Sequence, residues 1–134
     1  MFKPYGIIPA LVTPFDEQGK VEEKVLRHLV RNVMEAGCHG VFILGSNGEF
    51  FSLTNEEKIM IAKIAVEEAG GSVPVYAGTG GNSTVEVIEL TKQMEEIGVK
   101  AVSVITPYFV KLSQEELKCH YEMIARAVKI PIIL

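Results

Sequence analysis

The sequence has 134 residues, of which 48% are hydrophobic and 22% are charged, and its formal net charge is −4 at pH 7. This composition is typical of one soluble globular domain. A negative net charge without a Lys/Arg cluster argues against nucleic-acid binding, and no apolar run approaches the roughly 18 residues that a membrane span needs.

Along the chain, five apolar segments alternate with four segments in which apolar residues recur every three to four positions. The first pattern is typical of short buried strands and the second of amphipathic helices. The predicted strands cover residues 6–15, 41–44, 73–78, 99–105 and 130–134, and the predicted helices begin near residues 21, 54, 83 and 113. The predicted order is therefore β-α-β-α-β-α-β-α-β.

Short polar signals mark the predicted helix ends. Glycines follow the first three helices and are suited to the left-handed residue that often closes a helix. At the start of the second, third and fourth helices, a Ser or Thr precedes a Glu by three residues, as in a capping box. The pairs are Thr54 with Glu57, Ser83 with Glu86 and Ser113 with Glu116.

The strands show no regular alternation of apolar and polar residues, which indicates a parallel sheet with both faces covered. Two architectures accommodate this order: a doubly wound open sheet, or part of a (β/α)8 barrel, which has about 250 residues when complete. A doubly wound domain usually carries a glycine-rich phosphate loop after its first strand, but here the first strand ends in Thr13-Pro14-Phe15, and nothing there resembles a phosphate-binding loop. Polar candidates instead follow several strands, as in a barrel: Thr13, Ser46-Asn47, Thr79–Asn82 and Tyr108.

The turn after the second strand, Gly45-Ser46-Asn47-Gly48-Glu49, is the strongest single candidate for a site. Its small residues allow backbone N–H groups to face outward beside a hydroxyl and a carboxamide. Such a turn at the carboxyl end of a parallel strand is a common place for an anion. An ordinary connecting turn, with glycine chosen for its backbone freedom, explains the same short pattern.

Four motifs occur in order along the whole chain: IIPALVTPF at 7–15, GSNGE at 45–49, TPYF at 106–109 and IPIIL at 130–134. Together they resemble the amino-terminal half of the dihydrodipicolinate synthase / N-acetylneuraminate lyase family. The resemblance implies a (β/α)8 barrel, commonly in homo-oligomers, in which a lysine forms a Schiff base with pyruvate or another 2-oxo acid. It implies no cofactor and no metal. We expect residues 1–134 to form one partial barrel domain of about four βα units, truncated at a fifth strand.

Residue by residue, the resemblance gives Ser46 a catalytic place in a proton relay. It also makes Ser46, Asn47 and Gly48 the turn that binds the substrate carboxylate. Tyr108 is the second catalytic candidate, and packing at the barrel rim is its alternative role. Phe109 stands where dihydrodipicolinate synthases have a second tyrosine, lent across a dimer interface. Because phenylalanine cannot carry a proton, this departure separates the chain from the strict dihydrodipicolinate synthase pattern.

The resemblance places the Schiff-base lysine beyond Leu134. A Schiff-base lysine needs a desolvated pocket that lowers its pKa, and five lysines of this chain fall instead on predicted helices or their flanks: Lys92, Lys100, Lys111, Lys118 and Lys129. We therefore expect the inactive half of a pyruvate-dependent lyase. The alternative is a non-enzymatic half-barrel that self-associates through open sheet edges. A third interpretation is a doubly wound domain that binds a small anion at Ser46-Asn47.

Isolated cysteines and the absence of a signal-peptide pattern predict a cytoplasmic protein with reduced thiols. His39 and His120 adjoin the two cysteines at a spacing that no zinc site uses, so both are expected in packing or at the surface. The acidic pair Glu67-Glu68 is expected on a solvated helix face.

Overall fold

The computed structural model describes residues 3–134. Four helices, α1 (Glu23–Glu35), α2 (Asn55–Ala69), α3 (Thr84–Ile97) and α4 (Gln114–Ala127), alternate with four strands, β1 (Val41–Ile43), β2 (Val75–Gly78), β3 (Ala101–Ser103) and β4 (Ile132–Ile133). Two 3₁₀ turns, Ser46–Gly48 and Phe50–Ser52, connect β1 to α2. Within residues 3–134, no helix has both the length and the apolar composition needed to cross a membrane.

The strands form one parallel sheet in the order β1-β2-β3-β4. Each strand pairs with the next one along the chain, as successive strands of a (β/α)8 barrel do. In a doubly wound sheet the strand order reverses at a switch point, so the doubly wound interpretation is wrong. The helices follow the same sequence, with α1 packed on α2, α2 on α3 and α3 on α4.

The predicted first strand is the main difference from expectation. Residues 6–15 form no strand, and the segment meets β1 through a single parallel bridge between Ala10 and Phe42. The Phe42 N–H donates to the Pro9 carbonyl at 3.0 Å, and the Leu11 N–H donates to the Phe42 carbonyl at 2.8 Å. Because Pro9 has no N–H of its own, the ladder is short. The segment nevertheless holds the edge position beside β1.

The two faces of the sheet have different neighbours. The face packed against α2 and α3 carries side chains that are at most 3% exposed, among them Val41, Ile43, Val75, Ala77 and Val102. Because side chains alternate along a strand, their neighbours point to the opposite face. An apolar cavity of about 170 Å³ lies there, lined by Ile8, Phe42, Tyr76, Ser103 and Ile133. In a complete barrel this second face lines the interior.

The capping boxes at α2 (Thr54 with Glu57) and α4 (Ser113 with Glu116) are complete, as predicted. At α3, Ser83 Oγ accepts a hydrogen bond from the backbone N–H of the third helical residue at 3.4 Å. The structure gives no return bond at this helix, so only half of the third predicted box forms. Each cap satisfies backbone donors that a helix start leaves free.

An ion-pair network joins α1 to α2. It includes the acidic pair Glu67-Glu68, which the sequence predicted on a solvated helix face. Arg27 lies 2.9 Å from both Glu23 and Glu67 and 3.3 Å from Glu68, and Arg31 lies 2.7 Å from Glu68. Hydrogen bonds to Glu67 and then Glu23 raise the pKa of Arg27 above its ordinary value. The Glu68 side chain is only 17% exposed, so it belongs to an interhelical contact rather than to a solvated face.

His120 links α4 to α3 inside the protein. Its side chain is buried, and Nδ1 lies 2.8 Å from Thr84 Oγ1. Within residues 3–134, Nε2 has no hydrogen-bond partner, and no group of three His, Cys, Asp or Glu side chains is arranged to hold a metal. Burial lowers the pKa of His120 below its ordinary value of 6.5. This histidine is therefore a packing residue.

We expect this burial to make stability depend on pH. The unfolded chain binds a proton at His120 below about pH 6.5, whereas the folded chain resists protonation. The free energy of unfolding therefore falls as the pH decreases below that value. Thermal unfolding between about pH 7.5 and pH 5 should depend less on pH in His120→Gln than in the wild type. His28→Gln, at an exposed position, should keep the wild-type dependence; equal slopes in all three chains would contradict the prediction.

Candidate functional site

The carboxyl end of β1 bends sharply into the 3₁₀ turn Ser46–Gly48. Leu44 has a φ of 58° and Glu49 a φ of 53°, so non-glycine residues in the left-handed region stand on both sides of the turn. This conformation costs free energy for residues with a Cβ, and such residues concentrate at functional sites. It also ends β1 at Ile43, one residue earlier than predicted.

Two backbone N–H groups are left free at the start of this turn. The Gly48 N–H donates to the Gly45 carbonyl at 3.0 Å, and the Glu49 N–H donates to the Ser46 carbonyl at 3.1 Å. The N–H groups of Ser46 and Asn47 precede these bonds, and no acceptor within residues 3–134 engages them. Unpaired donors at the start of a helical turn carry partial positive charge and can bind an anion.

A small cavity of about 130 Å³ opens beside the turn at the carboxyl edge of the sheet. The ends of three successive strands and the turns after them contribute to its wall. The lining residues are Phe42, Leu44, Gly45, Ser46, Phe50, Gly78, Gly80, Ser103 and Ile105. Because parallel α/β proteins place their active sites at this edge, the cavity and the turn are the candidate site.

The predicted site residues occupy different positions around this cavity. Ser46 lines it. Asn47 follows in the same turn with an exposed side chain, and Gly48 is buried behind the turn. Tyr108 is not among the lining residues, and its ring packs edge-on against Phe50 at a centroid distance of 6.0 Å. The fold thus brings the three turn residues together, whereas Tyr108 contacts Phe50 rather than the cavity itself.

Asn82 fixes the loop that carries Tyr108. Its Oδ1 accepts a hydrogen bond from the Tyr108 N–H at 2.8 Å. The next residue, Phe109, has a φ of 75° and is 98% exposed. An aromatic side chain held fully in solvent by a backbone in the left-handed region is unusual for a residue with a Cβ. The sequence predicted Asn82 only as part of a polar loop, since a bond across 26 residues leaves no local pattern.

Two other polar candidates are buried rather than exposed at the rim. Thr79 is almost completely buried, and its hydroxyl accepts a hydrogen bond from Thr91 Oγ1 at 2.9 Å. Thr13 Oγ1 donates to the Gly48 carbonyl at 2.7 Å. Thr79 is therefore a core hydroxyl, whereas Thr13 contacts the turn from behind.

No lysine contributes to the cavity wall in the described chain. The five lysines that the sequence placed on helices or their flanks are all exposed. Lys58 on α2 was not singled out by any sequence pattern, yet it is half-buried. Burial lowers its pKa, and the negative charge of Glu86 opposes that shift. Because Lys58 lies outside the cavity, it is no nucleophile candidate for this site.

A parallel sheet in chain order, with one helix-covered face and a cavity at its carboxyl edge, defines the amino-terminal half of a (β/α)8 barrel. A model of the dihydrodipicolinate synthetase family matches residues 3–134. The chain belongs to this family.

Similar proteins are about twice as long as this chain. The 4-hydroxy-tetrahydrodipicolinate synthase of Trichlorobacter lovleyi is 50% identical over 134 residues, which are 100% of this chain and 45% of that protein. Dihydrodipicolinate synthase from Acinetobacter baumannii, solved in complex with pyruvate, superposes with a TM-score of 0.94 at 42% identity, over 96% of this chain and 44% of that one. N-acetylneuraminate lyase from Mycoplasma synoviae superposes with a TM-score of 0.90 at 36% identity, over 96% and 45%. The chain thus spans less than half the length of these relatives.

Proposed function

We propose that this chain supplies the amino-terminal half of a Schiff-base-forming lyase or aldolase that acts on pyruvate or another 2-oxo acid. The observation that carries the proposal is the pair of unengaged N–H groups at Ser46 and Asn47, beside the cavity at the sheet edge. A carboxylate placed there accepts charge-assisted hydrogen bonds from the backbone. The A. baumannii relative was solved with pyruvate bound, which supports the same class of ligand here.

In this proposal the turn Ser46–Gly48 binds the substrate carboxylate, and the hydroxyls of Ser46 and Tyr108 transfer protons. Ser46 and Asn47 hold the substrate carboxylate with their N–H groups and exposed side chains, and Gly48 completes the turn. The Ser46 hydroxyl, in the cavity wall, takes part in a proton relay. We assign the second place in this relay to Tyr108, whose ring packs edge-on against Phe50.

The proposal places the lysine nucleophile outside this chain. A Schiff base forms when an unprotonated lysine amine adds to the ketone carbonyl and water leaves, which needs a lysine with a lowered pKa at the reacting carbon. Within residues 3–134, no lysine lines the cavity, and Lys58 on α2, which is half-buried, is not among the lining residues. We therefore propose that the chain has no turnover by itself.

Borohydride reduction in the presence of pyruvate, followed by intact-protein mass measurement, tests this assignment. We expect no pyruvate adduct on the chain alone, and an adduct on the carboxyl-terminal half of a family enzyme when that half is mixed with this chain. A Ser46→Ala, Asn47→Ala double variant should lower the adduct yield in the mixture, whereas Ser72→Ala, at an exposed serine before β2, should not. An adduct on this chain alone would place the nucleophile here and overturn the assignment.

We also propose that the chain associates with a second copy of itself. Exposed apolar side chains gather at the rim of the site: Phe51, Tyr108, Phe109 and Val110. Phe51 and Tyr108 both pack against Phe50, and burial of these exposed apolar side chains in a second copy would be favourable. The alternative function, a non-enzymatic half-barrel, uses the second apolar surface instead. That surface is the open sheet face at Phe42 and Ile133, together with the sheet edge at β4, which pairs with no strand other than β3 within residues 3–134. An open edge of this kind can pair with another chain.

Sedimentation velocity of single variants distinguishes the two surfaces. If the rim associates, Phe109→Ser should shift the chain toward monomer, whereas Ile133→Ser should leave the association unchanged. If the open sheet face associates, Ile133→Ser should shift the chain toward monomer, whereas Phe109→Ser should leave the association unchanged. A folded wild-type monomer at micromolar concentration would contradict both modes of association.

A further inference from the structure

We propose that Thr13 is a positioning residue for the turn Ser46–Gly48. The inference rests on the proposed role of that turn in binding a carboxylate, and adds a residue outside the turn that fixes its orientation. Thr13 is 7% exposed, and its Oγ1 donates to the Gly48 carbonyl at 2.7 Å across 35 residues of sequence. In the part of the chain that the structure describes, this is the one side-chain hydrogen bond that reaches the turn.

The segment before Thr13 is itself fixed to β1. The Phe42 N–H donates to the Pro9 carbonyl, and the Leu11 N–H donates to the Phe42 carbonyl. These bonds set the register of the segment only two residues before the Thr13 hydroxyl. The position of that hydroxyl relative to β1, and hence to the turn that follows β1, is therefore determined by backbone pairing.

The turn is also held closely against this segment. A Cβ at Gly48 would lie 3.1 Å from the Leu11 carbonyl oxygen and 3.4 Å from Thr13 Oγ1, so only glycine allows this approach without displacing a neighbour. In a helical turn the carbonyl groups point toward one end and the N–H groups toward the other. Anchoring the Gly48 carbonyl therefore keeps the Ser46 and Asn47 N–H groups directed away from Thr13, where an anion can reach them.

Loss of the hydroxyl should leave the Gly48 carbonyl without its side-chain donor. We expect Thr13→Val, which keeps the branched shape, to weaken pyruvate binding to the chain by about tenfold. Thr13→Ser keeps the donor and should bind within about twofold of the wild type. Thr13→Ala is a second variant without the hydroxyl, in case valine prevents folding. Dissociation constants come from NMR titration of the Ser46 and Asn47 amides with pyruvate.

Two readouts separate positioning from general stability. If Thr13 only stabilises the fold, Thr13→Val should unfold at a lower temperature but bind pyruvate with the wild-type affinity, and that result would overturn the inference. If the wild type binds no pyruvate, the proposed function fails, and amide exchange then tests the inference alone. The Gly48 and Glu49 amides, which are bonded within the turn, should exchange about tenfold faster in Thr13→Val, with Ala77 in β2 unchanged. Equal exchange rates at Gly48 and Glu49 would refute the positioning role.

Discussion

Replacing Gly78 with alanine should lower the unfolding temperature of the chain by about 10 °C or more. Gly78 ends β2 next to the bend after β1, and a Cβ there would overlap the Leu44 carbonyl oxygen and lie 2.9 Å from its carbonyl carbon. Both groups are backbone, so no side-chain rotation relieves the overlap. Overpacking of a well-packed interior costs about 1–3 kcal/mol, and we expect the upper end of that range at this position.

Gly81→Ala is the matched control for this substitution. A Cβ at Gly81 would have Val87 Cγ2 as its nearest neighbour at 3.5 Å, an ordinary contact. This variant should unfold at or slightly above the wild-type temperature, because alanine restricts the unfolded chain. Circular dichroism measures both transitions. If Gly78→Ala and Gly81→Ala unfolded at the same temperature, the Leu44 carbonyl would have to move easily. The bend that precedes Ser46 would then not be fixed by β2.

Sequence patterns were sufficient for the helices and for the parallel arrangement, because those features depend on nearby residues. The Thr54 and Ser113 caps act over three residues, and their complete capping boxes form as predicted. Gly98 closes α3 with a φ of 102°, a conformation that favours glycine. The prediction of a full strand over residues 6–15 was wrong, because apolar composition predicts burial but not how many backbone hydrogen bonds a segment makes to its neighbour. Pro9 also removes one backbone donor.

The candidate site could be predicted only in part from the sequence. The small residues of the turn identify Ser46 as a candidate, and Ser46 does line the cavity. The roles of Gly78 and Asn82 depend on what lies across the sheet edge, which local patterns do not encode. In the sequence Gly78 is only the last residue of a predicted strand, whereas the structure places it against the Leu44 backbone. Glu68 was misjudged for the same reason, since its partners are on another helix.

Replacing Phe50 with alanine should destabilise the chain by about 3–5 kcal/mol. Phe50 is 6% exposed and packs edge-on against Phe51 and Tyr108, at centroid distances of 5.6 Å and 6.0 Å. Truncation removes these contacts and opens a space beside the cavity that Phe50 lines. Denaturant titration measures the loss as a lower midpoint at an unchanged slope.

Phe51→Ala provides the comparison, since it removes the same side chain from the next position. Phe51 is 61% exposed, so its truncation should cost only the aromatic contact, about 1 kcal/mol. Equal destabilisation by the two variants would mean that Phe50 is not a core residue. The difference matters for the site because Phe50 contacts Tyr108 on one side and the cavity on the other. We therefore expect Phe50→Ala, and not Phe51→Ala, to change the NMR signals of both the Tyr108 ring and the Ser46 amide.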